Sequence, residues 1–332
     1  MIDLSKLSVE EFVSGIRKND KVILARTITL LESTVSSHQE KAYHILEKCL
    51  PYTGQSIRIG ITGAPGVGKS TFIETFGKLL LGEGKKLAVI AIDPSSKKNK
   101  GSILGDKTRM QDLSKLEHVF IRPTASGDFA GGVASKTREV ILILEAAGYD
   151  TILIETVGVG QGETSVYEMT DIFLLLLLAG AGDELQGIKR GIMEMADVIA
   201  INKSDGDNAE RVRIAQGEFK RAVKLFPLPE SGRETIVKSC SGLTGDGIAE
   251  IWQAMNEFIS AVKHSNYFEN KRKSQLKTWV HEMLYADIIH RLIQQPEFKS
   301  RLQEIENQID QSGGFSLSSI RELINGFANH NK

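Results

Sequence analysis

The residues best suited to chemistry lie in one short stretch, Gly63-Ala64-Pro65-Gly66-Val67-Gly68-Lys69-Ser70-Thr71. Gly63, Gly68, Lys69 and Ser70 fill the spacing G-x-x-x-x-G-K-[ST], the phosphate-binding P-loop. Glycine-rich backbone lets successive N–H groups turn inward as an anion-binding nest, and the helix that follows adds its positive end. Lys69 would then reach the β- and γ-phosphates of a nucleoside triphosphate, and the Ser70 hydroxyl would bind Mg²⁺. The alternative is a glycine turn with a stray lysine. Against it stand the strand-like alternation of Ile57, Ile59 and Ile61 ahead and the helix-compatible run from Ser70 to Leu81 behind.

Three later stretches extend this chemistry. Asp93 closes an apolar run and is followed by Pro94-Ser95-Ser96. It could hold Mg²⁺ through a water, orient the attacking water, or simply cap a helix. The lysine-rich loop to Asp106 reads equally as a mobile switch or a solvated surface. Thr151-Ile152-Leu153-Ile154 delivers Glu155, with Gly158 three residues on. This is the D-x-x-G arrangement of GTPases with glutamate in place of aspartate: the carboxylate belongs near Mg²⁺ and the Gly158 N–H near the γ-phosphate, so that loss of that phosphate releases the loop. Val159 stands where Ras-like GTPases carry a water-orienting glutamine, and Gln161 is out of register, so unassisted hydrolysis should be slow. The third stretch, Val198-Ile199-Ala200-Ile201, ends in Asn202-Lys203-Ser204-Asp205, the guanine-reading N-K-x-D. Asp205 can accept from the guanine N1–H and 2-amino groups, Asn202 braces the loop, and the Lys203 stem lies against the base. Ser239-Cys240-Ser241 resembles the loop that closes over the base.

These residues need a frame that brings them to one edge. Apolar runs at Arg58–Thr62, Leu87–Ile92, His118–Arg122, Thr151–Ile154, Ile172–Leu178, Val198–Ile201 and Thr235–Lys238 alternate with helical stretches, which predicts an α/β fold with a largely parallel sheet. Several runs are unbroken Val/Ile/Leu, as expected of strands covered on both faces. Ligands bind such sheets at the carboxyl ends of the strands, where these polar residues fall.

Composition narrows the class. The chain has 332 residues, 41% hydrophobic and 25% charged, with formal net charge −1. That is an ordinary globular composition, without the basic field that nucleic acid or anionic membrane would call for. Cys49 and Cys240 are isolated, so neither a disulfide framework nor structural zinc is expected. The N-terminus lacks the features of a signal or transit peptide, and Ile172–Ala179 is too short to span a bilayer. A cytoplasmic location is the default.

Ahead of the P-loop, Ser8-Val9-Glu10-Glu11 and Ser37-His38-Gln39-Glu40 have capping-box form, and Ala42, Ile45, Leu46 and Cys49 repeat at helical spacing. Pro51 to Gly54 breaks the pattern. This predicts an N-terminal helical extension over 1–54, either a cap packed on the main domain or a partner-binding arm. The main domain runs over 55–265 and ends with a helix from Asp246 to His264. Asn266 to Lys273 is polar and reads as a linker opening the C-terminal segment, 266–332. There Leu276, Trp279, Val280, Met283, Leu284, Ile288 and Leu292 form a helical stripe that must be covered, and further helices fit Glu297–Asp310 and Ser316–Phe327.

Ala179 to Ile192, which includes Asp183, Gln186 and Lys189, is not required by generic GTPase chemistry. Alone it reads as a helix start with a salt-bridged surface. Together with Asp93-Pro94-Ser95-Ser96 and Glu155 to Gln161, it closely resembles the MeaB/ArgK family of P-loop GTPases, from about Ser37 to the C-terminus. The resemblance implies a SIMIBI-class G domain flanked by helical segments. It implies a homodimer through the C-terminal part, and a chaperone of adenosylcobalamin-dependent acyl-CoA mutases that gates cobalamin delivery and protects the mutase from inactivation. It assigns Lys69, Ser70, Asp93, Asp106 and Glu155 to phosphate and metal, Asn202, Lys203 and Asp205 to the base, and Asp183 and Lys189 to an additional switch loop coupled to the mutase. A P-loop kinase, a nickel-insertion GTPase and a dimeric scaffold whose nucleotide only stabilises the fold are the rival classes. The guanine motif opposes the first, and the scattered histidines and cysteines oppose the second.

Overall fold

The computed structural model describes residues 7–93, 110–125, 132–156, 162–180, 190–314 and 316–328. Among them, seven strands form one parallel sheet: β1 (Ile57–Gly63), β2 (Leu87–Asp93), β3 (Val119–Ala125), β4 (Thr151–Thr156), β5 (Ile172–Leu178), β6 (Val198–Asn202) and β7 (Ile236–Ser239). Their order is β3-β2-β4-β1-β5-β6-β7, so β1 lies at the centre with β4 and β5 against it. Each of the seven predicted runs is a strand. β4 is buried along its whole length and β5 along all but its last residue, which is why these stretches read as unbroken apolar sequence.

Helices cover both faces. On one, α4 (Lys69–Gly82) packs with α10 (Ile248–His264). Phe72, Phe76, Trp252, Met255 and Phe258 join Ile59, Ile61 and Leu174 in a single core, with the Phe76 and Trp252 rings edge-on at 5.6 Å. A fully buried side chain of this size contributes about 1.5–3 kcal/mol. The other helices in chain order are α5 (Gln111–Ser114), α6 (Gly132–Ala146), α7 (Glu163–Tyr167), α8 (Arg190–Met195) and α9 (Ala209–Val223).

The N-terminal helices α1 (Val9–Arg17), α2 (Lys21–Leu31) and α3 (Ser36–Cys49) pack on one another and on α6. Ser8 and Glu11 form the expected reciprocal cap of α1. The second cap differs from expectation. α3 starts at Ser36, so Ser37 is already helical, and no side chain caps the helix. Ser33 organises the entry instead: its hydroxyl accepts from the Val35 N–H at 3.2 Å and meets His38 Nδ1 at 2.9 Å.

The chain divides into two compact units, one running to Leu276 and including the N-terminal helices, the second from Lys277 onward. The polar stretch 266–273, expected as a linker, is the first part of a continuous helix, α11 (Tyr267–Gln294). Its polar residues are anchors. Arg272 donates to both Asp171 carboxylate oxygens at 2.8 Å and to the Gly54 and Ser56 carbonyls at 2.6 Å. Asp171 also accepts the Arg58 N–H at 2.8 Å, and Glu145 accepts from Ser56, Arg58 and Gly54. Phe268 enters the core. A window of charged residues looks like linker, yet fixed partners turn the charges into attachment points.

In the second unit, Pro296 opens α12 (Pro296–Ser312) and Gly313, with φ 66°, closes it in the left-handed region, where glycine has no Cβ to clash. α12 and α13 (Leu317–Ala328) pack on each other, with Leu323 buried. Along the apolar stripe of α11, Trp279 is buried and Met283 and Leu292 are half-buried, while four other members are exposed among the described residues. Leu276 and Val280 are each 54% exposed, Leu284 51% and Ile288 45%.

Candidate functional site

The strand register brings the predicted residues to one edge of the sheet. Ile61 of β1 is opposite Glu155 of β4, Leu178 of β5 opposite Asn202 of β6, and Ile201 opposite Ser239 of β7. All the strands are parallel, so their carboxyl ends share this edge.

At its centre β1 ends in Gly63, residues 64–68 curve back, and α4 begins at Lys69. Two glycines are needed for close approach. A Cβ on Gly63 would come within 2.5 Å of the Leu176 carbonyl oxygen, and one on Gly68, where φ is 95°, within 2.7 Å of Asn202 Nδ2. The Lys69 ammonium donates to the carbonyls of Gly63 at 2.7 Å and Ala64 at 3.2 Å, which keeps the cation at the loop beside the N-terminus of α4. Backbone donors, a helix start and a lysine together suit a polyphosphate.

Glu155 is 7% exposed. The Ser70 hydroxyl donates to its Oε1 at 3.5 Å, so the residue after the P-loop lysine and the carboxylate at the end of β4 face the same point. The Thr156 hydroxyl donates to that of Thr62 at 2.8 Å and ties β4 to β1 at this level. An oxygen-only donor set of hydroxyl and carboxylate suits a hard cation such as Mg²⁺. Asp93 is the last residue of β2, opposite Ala125. Its side chain lies outside the described residues, as do Gly158, Val159 and Gln161, Asp106, and the switch positions Asp183, Gln186 and Lys189.

The base end is built around Asn202. Its amide nitrogen donates to the Val67 carbonyl at 2.8 Å, while its oxygen accepts the Gly242 N–H at 2.9 Å. One side chain thus joins the P-loop to the loop after β7. Lys203 takes a left-handed conformation, φ 61°, and its ammonium donates to the Gly66 carbonyl at 2.9 Å. The Ser241 hydroxyl donates to Asp205 Oδ2 and accepts the Thr244 N–H at 3.0 Å. Gly68, Thr71, Asn202, Lys203, Asp205, Gly242 and Leu243 line a cavity of about 220 Å³. A larger groove of about 890 Å³ lies by Glu83, Trp252 and Asn256; it contains none of the predicted residues, and volume alone does not make it the site.

The structure separates the three members of Ser239-Cys240-Ser241. Ser239 ends β7. Cys240 points beneath Asn202, with its sulfur 3.6 Å from Oδ1 and the residue 1% exposed. Burial pushes its thiol up to about 12, so it is no nucleophile. Only Ser241 reaches the Asp205 carboxylate, and the cavity is closed by Gly242 and Leu243, two positions further on than the sequence reading centred the loop. The available signal was the continuation of the small-residue run through Gly242 to an isolated leucine before Thr244. Leu243 is 77% exposed, an apolar side chain placed for a flat ligand to cover.

The model of the methylmalonyl Co-A mutase-associated GTPase MeaB family matches residues 24–297. The chain belongs to the MeaB family of GTPases. Among its relatives, GTPase ArgK of Escherichia coli is 43% identical over 295 residues, 89% of either chain. The mitochondrial methylmalonic aciduria type A homolog of Mus musculus is 40% identical over 332 residues, 97% of this chain and 80% of the mouse protein. A solved structure described as LAO/AO transport system kinase superposes with a TM-score of 0.75 at 35% identity, covering 99% of this chain and all of the other. This MeaB-family chain is therefore a P-loop GTPase that binds GTP and GDP, and Asp205 with Lys203 and Leu243 is its candidate base-reading set.

Proposed function

We propose that this GTPase is the chaperone of an adenosylcobalamin-dependent acyl-CoA mutase of the methylmalonyl-CoA mutase type, gating cofactor delivery and protecting the mutase from inactivation. The carrying observation is the Asn202 brace: a guanine pocket coupled through one side chain to a P-loop, in a chain of the mutase-associated family. Relatives named for methylmalonic aciduria support the choice of mutase.

In this reading Lys69 and the backbone N–H groups of residues 66–70 hold the β- and γ-phosphates, Asp205 accepts from guanine, and Leu243 and the Lys203 stem cover its two faces. Ser70 and Glu155, with Asp93 and Asp106, hold Mg²⁺, which when bound neutralises charge on the phosphate oxygens. Gly158 follows the γ-phosphate, and Asp183, Gln186 and Lys189 pass its state to the mutase. Val159 offers the attacking water no hydrogen bond, so the partner accelerates a slow basal reaction. Residues 266–332 supply a homodimer contact, supported by the exposed stripe of α11. No helix among the described residues is long and apolar enough to cross a membrane, which is compatible with a cytoplasmic place of action.

The test is GTP turnover with and without methylmalonyl-CoA mutase. Acceleration is expected in the wild type, and Lys189→Ala should keep GTP binding and basal turnover while losing the acceleration. A mutase without effect on turnover, combined with phosphoryl transfer to an added protein or small molecule, would replace this reading with the P-loop kinase one.

A further inference from the structure

The outer face of α9 and the turn after it are not used by the nucleotide site. Arg211, Ile214, Glu218 and Arg221 recur at three- and four-residue spacing, which places them on one helical face; Leu225 follows in the turn beyond Val223, and all five are exposed. Val212, Ala215 and Phe219 form the opposite, buried face. Ile214 is 52% exposed and Leu228 65%, while Leu225, at 82%, is the most exposed large apolar side chain among the described residues. The turn that presents the leucines is ordered. The Leu225 and Phe226 N–H groups donate to the Ala222 and Val223 carbonyls at 3.0 and 3.2 Å, and the Gly232 N–H closes on the Pro229 carbonyl at 2.8 Å. Pro227 and Pro229 fix the backbone between them.

Basic side chains outnumber acidic ones on and around this face, where Glu218 and Glu230 are also exposed. Arg211, Lys220, Arg221 and Lys224 are exposed around the leucines, whereas Arg213 is paired with Glu210. Basic residues in a last turn answer the helix dipole, but the dipole explains neither Arg211 in the first turn nor the leucines. The Arg190 guanidinium lies 5.6 Å from the centre of the Phe226 ring, and Arg190 opens α8 directly after residues 181–189.

We propose that this face docks an acidic protein surface bearing apolar side chains, contributed by the mutase; this rests on the mutase reading above. A phospholipid surface fits less well. Phe226 is engaged by Arg190 instead of projecting for insertion. A partner on Leu225 and Leu228 presses on both sides of Phe226, and through it on the residue that begins where the switch positions end.

The test is calorimetric titration of the full-length protein with methylmalonyl-CoA mutase. Leu225→Glu combined with Leu228→Glu should weaken binding about ten-fold or more, with unassisted GTP hydrolysis unchanged. Arg221→Glu, which keeps both leucines, should weaken it several-fold, and wild-type affinity should fall with added salt. Unaltered affinity in these variants, while the wild type binds, overturns the docking face. A wild type that binds no mutase overturns the functional reading beneath it. Binding to anionic phospholipid vesicles that the leucine variant loses while keeping its mutase affinity assigns the face to a membrane and likewise overturns the proposal.

Discussion

The nucleotide edge and the C-terminal helices treat their side chains in opposite ways. At the nucleotide edge the chain supplies its own partners: Asn202 spans two loops, Lys69 and Lys203 sit on loop carbonyls, and Ser241 fixes Asp205. The stripe of α11 has Leu276, Val280, Leu284 and Ile288 about half exposed. A site built on internal hydrogen bonds is shaped before its ligand arrives. An exposed apolar stripe on a well-formed helix has its shape but lacks its counterpart. The first region is complete within one chain, and the second leaves apolar side chains exposed.

The strongest way to break this contrast is Lys69→Ala. Removing the cation from the phosphate site should lower GTP turnover by about two to three orders of magnitude, while the thermal transition stays close to wild type. Normal turnover in a folded variant would take Lys69 out of the site.

Arg272→Ala tests whether the start of α11 belongs with the self-sufficient region. The Asp171 side chain is 1% exposed in its pair with Arg272, so removing the guanidinium leaves a buried carboxylate uncompensated, at a cost of about 3–5 kcal/mol. Urea unfolding measures it, and a loss below about 1 kcal/mol would show that the clasp is dispensable.

Asp205→Asn sharpens the base end. Hydrogen bonds to a charged group contribute about 1.5–3 kcal/mol, so GTP affinity should fall at least about ten-fold, and binding should shift toward XTP, whose 2-oxo group meets the new amide donor. A competition titration with GTP, XTP and ATP reads the shift; an undiminished preference for GTP would remove Asp205 from base recognition. The smallest effect on the single chain belongs to Val280→Glu with Leu284→Glu. Sedimentation should show a shift from dimer to monomer with GTP turnover unaltered, and a variant that remains dimeric would place the contact elsewhere. Truncation after His264 is a poorer test, because it also removes Phe268 and Arg272, which belong to the first unit.

Much of this was legible in the residues. The seven strands follow from apolar runs because a strand covered on both faces leaves no room for polar side chains. The P-loop, Glu155 and Asn202–Asp205 could be read because each follows such a run, and parallel strands bring their carboxyl ends together. The α11 anchor was not legible: Arg272 is an anchor only because Gly54, Ser56 and Asp171, distant in sequence, converge on it. For the same reason Leu243 was passed over, since an isolated leucine gains meaning only when Asn202 fixes the Gly242 backbone beside Asp205.

Local chemistry and period were therefore determined by the sequence alone: which segments are strands, which loops suit phosphate and guanine, and to which family the motifs belong. Only the tertiary structure decided which of three adjacent residues, Ser239, Cys240 or Ser241, reaches Asp205, and whether a polar run is linker or clasp. The physical reason is range. Strand period and glycine conformation act over a few residues, whereas the partners of Arg272, Asn202 and Ser241 are set by loops that close over 36 to 218 positions of chain.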